Sequence, residues 1–194
     1  MYLYSSVIQR ANDGRPVRVG LIGAGKFGSM FLAQVPTTPG LLVTMIADLD
    51  PAQAIVRCRE VGWDDSRVVN TEFVDDAEVM IRGNKVDVVV ESTGYPAAGI
   101  KHALLCAAHG KHIIMVNVEA DVLAGPYLAQ QAQQAGVVYS MAYGDQPALA
   151  MEMIDWARSC GFNVVAAGKG TKYLPSYHES TPDTVRSQYA QKAV

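Results

Sequence analysis

An apolar run from Val17 to Ile22 leads directly into Gly23, Gly25 and Gly28 at the spacing G-x-G-x-x-G. A helix-forming segment, a second apolar run at Leu41–Ala47 and an acid at Asp48 follow. Each glycine answers a separate steric demand: Gly23 makes a tight turn out of a strand, Gly25 lets backbone approach a ligand, and Gly28 lets a helix lie close on the preceding strand. A diphosphate would sit at the positive end of that helix. Asp48 stands 20 residues after Gly28, where a carboxylate accepts hydrogen bonds from both hydroxyls of an adenine ribose. Together these features predict a dinucleotide site, with NAD or NADP as cofactor. On charge alone Asp48 favours NAD, because a 2′-phosphate would bring a second anion to the same corner. Lys26 and Phe27 fill the variable places of the motif and are counted with the cofactor-binding candidates.

The rest of the chain has the pattern of a parallel sheet covered on both faces, in which short, continuously apolar runs alternate with longer helical segments. Strands are predicted at Val17–Ile22, Leu41–Ala47, Arg67–Asn70, Val86–Glu91, His112–Asn117 and Val137–Ser140. Helices are predicted at Phe27–Val35, Pro51–Val61, Asp75–Arg82, Pro96–His109 and Pro126–Ala135. Pro51 and Pro96 suit a first helical turn, where a missing N–H costs nothing. Pro147 opens a further helix to about Cys160, with Leu149, Met153 and Ala157 spaced as one buried face. A strand is predicted at Phe162–Ala167. The expected fold is therefore α/β, a Rossmann-type doubly wound parallel sheet over residues 1–160, with the start of an incomplete second α+β domain over 161–194. An unfinished second sheet exposes a strand edge, so the chain is expected to form a homo-oligomer.

Composition narrows the function classes. At 194 residues, 49% hydrophobic and 18% charged, the chain fits one globular domain with a sizeable core. A net charge of −3 supplies no electrostatic footprint for nucleic acid or an anionic membrane. No apolar run is long enough for a signal peptide or a bilayer span. Cys58, Cys106 and Cys160 are scattered and lack a C-x-x-C pair, the pattern of buried, reduced thiols in a cytoplasmic protein.

In sheets of this kind ligands meet outside the carboxyl ends of the strands, so residues there are the candidates for chemistry. Glu91, Ser92, Thr93 and Gly94 follow the fourth strand, where hydroxyls and open backbone can line the nicotinamide side. Asn117 follows the fifth, placed to bond the nicotinamide ribose, and Glu119 and Asp121 beyond it read as a solvated acidic loop with no metal assigned. Asp145, in Gly144–Pro147, reads as the N-cap of the next helix. Lys169 and Lys172, interleaved with Gly168, Gly170 and Thr171, present two cations and flexible backbone donors to an anionic substrate, and they are the candidates for orienting or polarising its carbonyl. His102, His109 and His112 are expected to face solvent or pack at a helix end. No serine, histidine and acid arrangement supports hydrolysis.

Val19–Gly28, Ala47–Pro51, Glu91–Gly94, Gly110–Asn117 and Gly168–Leu174 together resemble the homoserine-dehydrogenase-like oxidoreductases. Within them the nearer likeness is to the SAF-domain subgroup that includes the DXP-reductoisomerase-like (DRL) enzymes. The Gly144–Pro147 turn and the Gly168–Tyr173 loop carry the specific part of this resemblance, which extends over about residues 15 to 185. It implies an NAD(P)-dependent oxidoreductase that reduces and rearranges 1-deoxy-D-xylulose 5-phosphate with NADPH. A homoserine dehydrogenase-type enzyme and a catalytically inactive nucleotide-binding remnant or sensor are the alternatives. Val118 stands where homoserine dehydrogenases carry a lysine, which points away from an amino-acid substrate. From Arg186 onward the likeness ceases, as expected of a form shortened at its C-terminus.

Overall fold

The computed structural model describes residues 3–142, 146–168 and 181. They belong to two compact units, Met1–Asp145 and Gln146–Val194. In the first unit the chain forms α1 (Leu3–Asn12), β1 (Val17–Ile22), α2 (Lys26–Gln34), a 3-10 turn (Val35–Thr37), β2 (Leu41–Ala47), α3 (Pro51–Glu60), α4 (Asp65–Val69), β3 (Glu72–Val74) and α5 (Ala77–Arg82). It continues through β4 (Val88–Glu91), α6 (Pro96–Ala108), β5 (His112–Met115), α7 (Val118–Gln134) and β6 (Tyr139–Met141). The six strands form one sheet of order β3-β2-β1-β4-β5-β6 in which every pairing is parallel. This is the predicted Rossmann-type doubly wound sheet. The order reverses between β1 and β4, and the carboxyl ends of these two strands mark the switch point at which ligands bind.

Two apolar cores sandwich the sheet. On one face Leu32 of α2 and Ala54 and Cys58 of α3 pack with Val19, Leu21, Val43 and Ile46. On the other, Met80 and Ile81 of α5, Ala103 and Cys106 of α6 and Leu128 of α7 pack with Ile22, Met45, Val89 and Ile113. Full burial of each large side chain contributes about 1.5–3 kcal/mol, so the sheet is held from both sides. Desolvation pushes the Cys58 thiol up to about 11 and that of Cys106 up to about 12. Both therefore behave as small apolar core residues, whereas Cys160 is exposed, contrary to the expectation of a buried thiol.

Several local expectations are corrected. Arg67–Asn70 is no strand: Asp64 accepts the N–H of Arg67 at 2.7 Å and starts α4, Val68 turns into the core, and the third strand comes later at Glu72–Val74. The helix expected from Pro126 begins eight residues earlier, at Val118, because the side chain of Asn117 accepts the N–H of Ala120 at 3.1 Å. Pro126 sits inside that helix. The N-terminal segment, assigned no structure from sequence, forms α1.

In the second unit α8 (Gln146–Ser159) matches the predicted helix. Its expected buried face is not buried among the described residues, where Leu149 and Met153 are exposed. Phe162–Ala167 forms no strand. A strand requires a hydrogen-bonding neighbour, and none of the described residues supplies one.

At the end of the sheet opposite the switch point, Arg18 of β1 grips Asp87. Nη2 donates to Oδ1 at 2.5 Å and Nε to Oδ2 at 3.0 Å, and the Arg18 N–H donates to Oδ2 at 3.2 Å. The guanidinium holds the Asp87 carboxyl below the usual carboxylate range. A carboxyl depressed in the folded state stabilises above its unfolded value, and that contribution disappears as pH falls through the folded value. Asp87→Asn is expected to lower the thermal midpoint at pH 7 by about 2 °C, the scale of a partly exposed pair. In melts from pH 7 to pH 2 the difference from wild type closes; a difference that stays constant contradicts this role.

Candidate functional site

The glycine loop lies where β1, β2 and β4 end together. Gly23 adopts φ +89°, a region that a side chain rarely enters, and a Cβ there would stand 3.0 Å from the carbonyl oxygen of Ser92. Its N–H donates to Ala47 O at 2.8 Å. Gly25 is the N-cap of α2 and offers no side-chain cap, so the first amides of the helix keep their donors directed past the loop. A Cβ on Gly25 would meet nothing within 4 Å, whereas one on Gly28 would run into the Gly23 carbonyl. Gly28 thus serves packing inside the protein, while the backbone at Gly25 stays open. That arrangement fits a diphosphate, which takes the place a Cβ would fill and accepts hydrogen bonds from the helix amides.

Asp48, at the end of β2, is bound into this loop. Its Oδ2 accepts the Ala24 N–H at 2.8 Å and its Oδ1 accepts the Asp50 N–H at 3.0 Å. Asp50 in turn caps α3 by accepting the Gln53 N–H at 3.0 Å. Arg57, two turns into α3, donates from Nη1 to Ala24 O at 2.8 Å and lies 3.8 Å from Asp48 Oδ2. Each carboxylate oxygen retains a lone pair for a ribose hydroxyl. Arg57 also places a cation beside Asp48, so the charge argument for NAD over NADP weakens at this corner.

Across the switch point the end of β4 is polar. Ser92 Oγ lies 2.7 Å from Gly23 O and 3.0 Å from Ile22 O, clamping the turn. Glu91 is wholly buried, and its Oε1 accepts from Thr93 Oγ1 at 2.5 Å, from the Thr93 N–H at 3.4 Å and from His102 Nδ1 at 3.3 Å. Oε2 of the same carboxyl has no hydrogen-bond partner among the described residues. Asn117, also buried, donates from Nδ2 to Tyr95 O at 2.9 Å and to Thr93 Oγ1 at 3.4 Å. Its amide therefore ties the β4 and β5 loops together as well as capping α7.

A cavity of about 530 Å³ opens over these strand ends, within the size range of small-molecule sites. Of the predicted cofactor-binding residues it brings together Gly23, Gly25, Asp48, Ser92 and Thr93. Lys26 and Phe27 are exposed on the first turn of α2, Gly28 is buried under the loop, Gly94 turns at φ +69°, and Asn117 lies beneath. None of these five lines the cavity. Asp145, Lys169 and Lys172 lie outside the described residues. Asp121 is not in a solvated loop: it lies with Glu119 in the first turn of α7 and accepts the Tyr139 hydroxyl at 2.8 Å. Desolvation and this carboxylate raise the Tyr139 phenol.

Sequence reasoning missed Arg57 and His102, both of which line the cavity. The expectation of a solvent-facing or end-packed His102 is corrected: its side chain is 12% exposed and turned onto Glu91. A clue lay in Glu91 itself, an acid closing the apolar run Val88–Val90, which demands a polar neighbour. His112 opens β5 and accepts the Val138 N–H on Nδ1 at 3.0 Å.

Residues 23–141 match the family model described as homoserine dehydrogenase, NAD binding domain, and residues 144–194 match that described as oxidoreductase DRL, catalytic domain. No curated protein matches the chain. Among solved structures, an NAD binding oxidoreductase from Klebsiella pneumoniae is 23% identical at a TM-score of 0.54, over 75% of this chain and 39% of that one. A homoserine dehydrogenase from Thiobacillus denitrificans is 19% identical at 0.55, over 65% and 29%. A scyllo-inositol dehydrogenase from Lactobacillus casei, solved with NAD(H) and scyllo-inositol, is 17% identical at 0.55, over 74% and 42%. The matches thus span less than half the length of each of these structures.

The glycine geometry separates two substitutions. Gly25→Ala is expected to leave stability within about 0.5 kcal/mol, as surface changes do, yet to weaken NADH binding at least about tenfold by occupying the diphosphate's place. Gly28→Ala is expected to lower stability by about 1–3 kcal/mol, the cost of overpacking. Paired thermal melts and calorimetric titrations check this, and unimpaired NADH binding by Gly25→Ala contradicts it.

Proposed function

Because this chain belongs to the homoserine dehydrogenase NAD-binding domain family, we propose that it is the nucleotide-binding portion of an NAD(P)-dependent oxidoreductase acting on a small anionic substrate such as 1-deoxy-D-xylulose 5-phosphate. The observation that carries the nucleotide half is the open backbone at Gly25 beside the Asp48-tethered loop. The amides opening α2 hold the diphosphate, Asp48 holds the adenine ribose and Arg57 fixes the loop that both depend on. The nicotinamide, when bound, supplies or accepts a hydride. Ser92, Thr93 and Asn117 organise its side of the sheet, with Asn117 holding the β4 and β5 loops in register.

Two observations support the substrate half. One is the match of residues 144–194 to the DRL catalytic domain. The other is the loop from Gly168 to Tyr173, in which Lys169 and Lys172 stand among small residues suited to an anionic group. In this reading the lysines bind the anion and orient the carbonyl that is reduced. Homoserine dehydrogenase activity is the second reading, favoured by the family match over residues 23–141, and Val118 stands against it in the place of a lysine.

Calorimetry with NADH and NADPH tests the first half. One nucleotide is expected to bind per chain, and Asp48→Asn to weaken NADH by about tenfold, the loss of charge-assisted hydrogen bonds. Turnover of 1-deoxy-D-xylulose 5-phosphate and of homoserine, followed by nicotinamide absorbance, tests the second. The phosphate substrate is expected to be consumed, and Lys169→Ala with Lys172→Ala to lower kcat/KM at least about tenfold. Binding without turnover of either compound contradicts the enzymatic reading and supports a nucleotide sensor.

A further inference from the structure

Beyond the residues that hold diphosphate and ribose, the cavity extends from Asp48 toward the loop after β3 and the second turn of α6. It is walled by Ala77 and Ala98, and its polar side chains there are Asp75, Asp76, Tyr95 and His102. On the reading of the site given above, this is the direction in which the base of the adenosine half extends from its ribose. Apart from the exposed Tyr95 hydroxyl, the chemistry of this wall is one-sided. The Asp75 and Asp76 carboxylates accept, and Asp76 commits only Oδ1, to the Glu78 N–H at 2.8 Å.

His102 joins this set of acceptors through a buried partner. Glu91 Oε1 faces the Thr93 N–H, which can only donate, and so acts as an acceptor; the His102 nitrogen beside it, at 3.3 Å, therefore carries the ring proton on Nδ1. In the neutral ring Nε2 is then left with a lone pair. Glu91 cannot shift to release the ring, since it is 0% exposed and held by Thr93 Oγ1 at 2.5 Å.

We propose that His102, fixed in this tautomer by Glu91, reads the exocyclic amine of the bound purine, so that the site selects an aminopurine dinucleotide over an oxopurine one. Adenine presents two amino N–H donors to a wall in which His102 Nε2 is accompanied by the Asp75 and Asp76 carboxylates. Hypoxanthine presents a carbonyl oxygen there: water serves the exposed Asp75 and Asp76, whereas the mostly buried His102 acceptor loses its donor. Glu91 is a positioning residue in this scheme, and His102 touches the ligand.

The test compares binding of NADH with that of reduced nicotinamide hypoxanthine dinucleotide, in which a carbonyl oxygen replaces the 6-amino group and N1 carries a hydrogen. The wild-type chain is expected to bind NADH at least about tenfold more tightly, the scale of leaving the mostly buried His102 acceptor unpaired. His102→Leu is expected to bring the two affinities within about twofold by weakening NADH alone. Glu91→Gln keeps an acceptor for Nδ1–H and is expected to retain most of the preference, whereas Glu91→Leu loses it. Nitrogen NMR of the His102 ring in the wild-type chain reads the Nδ1–H tautomer directly. Equal affinities in the wild type, or a ring that carries a proton on Nε2, overturn the base-reading role and leave the nucleotide site standing. Failure of NADH and ADP-ribose alike to bind overturns both.

Discussion

The carboxylate of Asp48 holds the amide of Ala24 with one oxygen and that of Asp50 with the other, and the structure of the site depends on this pair of bonds. Through the first, the end of β2 is fastened to the turn that leaves β1. Through the second, the chain is set to start α3 where Asp50 can cap it. Arg57 closes the circuit by returning from α3 to the carbonyl of Ala24. A glycine-rich turn loses more conformational freedom on folding than any other segment of its length. It is therefore ordered by partners on three sides, with Ser92 supplying the third at the carbonyl of Gly23.

The two cores give this loop a rigid base. Leu21 and Ile22 at the end of β1 point to opposite faces and are buried in different clusters, so the strand that delivers Gly23 is gripped from both sides. Polarity concentrates where the apolar packing stops. Glu91 and Asn117 are buried at the ends of β4 and β5, and Thr93 bonds to both. Such groups cost free energy unless paired, and here they are shared between the chain's own loops and the cavity. Among the described residues, Oε2 of Glu91 is left without a partner.

The sheet's centre was legible because β1, β2, β4 and β5 are apolar on consecutive residues, as only doubly covered strands are. Its margin was not. β3 is three half-buried residues beginning with a glutamate, and its signal was outweighed by the branched residues of Arg67–Asn70, which a capping Asp64 turns into a helix. Asn117 illustrates a different limit: strand end, ribose ligand and helix cap are all open to an asparagine there, and the cap emerges only with the contact to Ala120. Within the site, the glycines and Asp48 could be read because spacing along the chain carries their meaning. Arg57 and His102 could not, since their roles depend on the rotational setting of α3 and α6 against the sheet.

The central claim is that the amides opening α2 are a diphosphate cradle, with Asp48 beside it for the sugar. Backbone amide NMR during titration with ADP-ribose tests this most directly, because that ligand carries the diphosphate and the adenosine without the nicotinamide. Saturable shifts centred on residues 24–28 and on Asp48 are the expected result. Shifts that leave those amides untouched while ADP-ribose binds elsewhere, or no saturable shift at all, contradict the account.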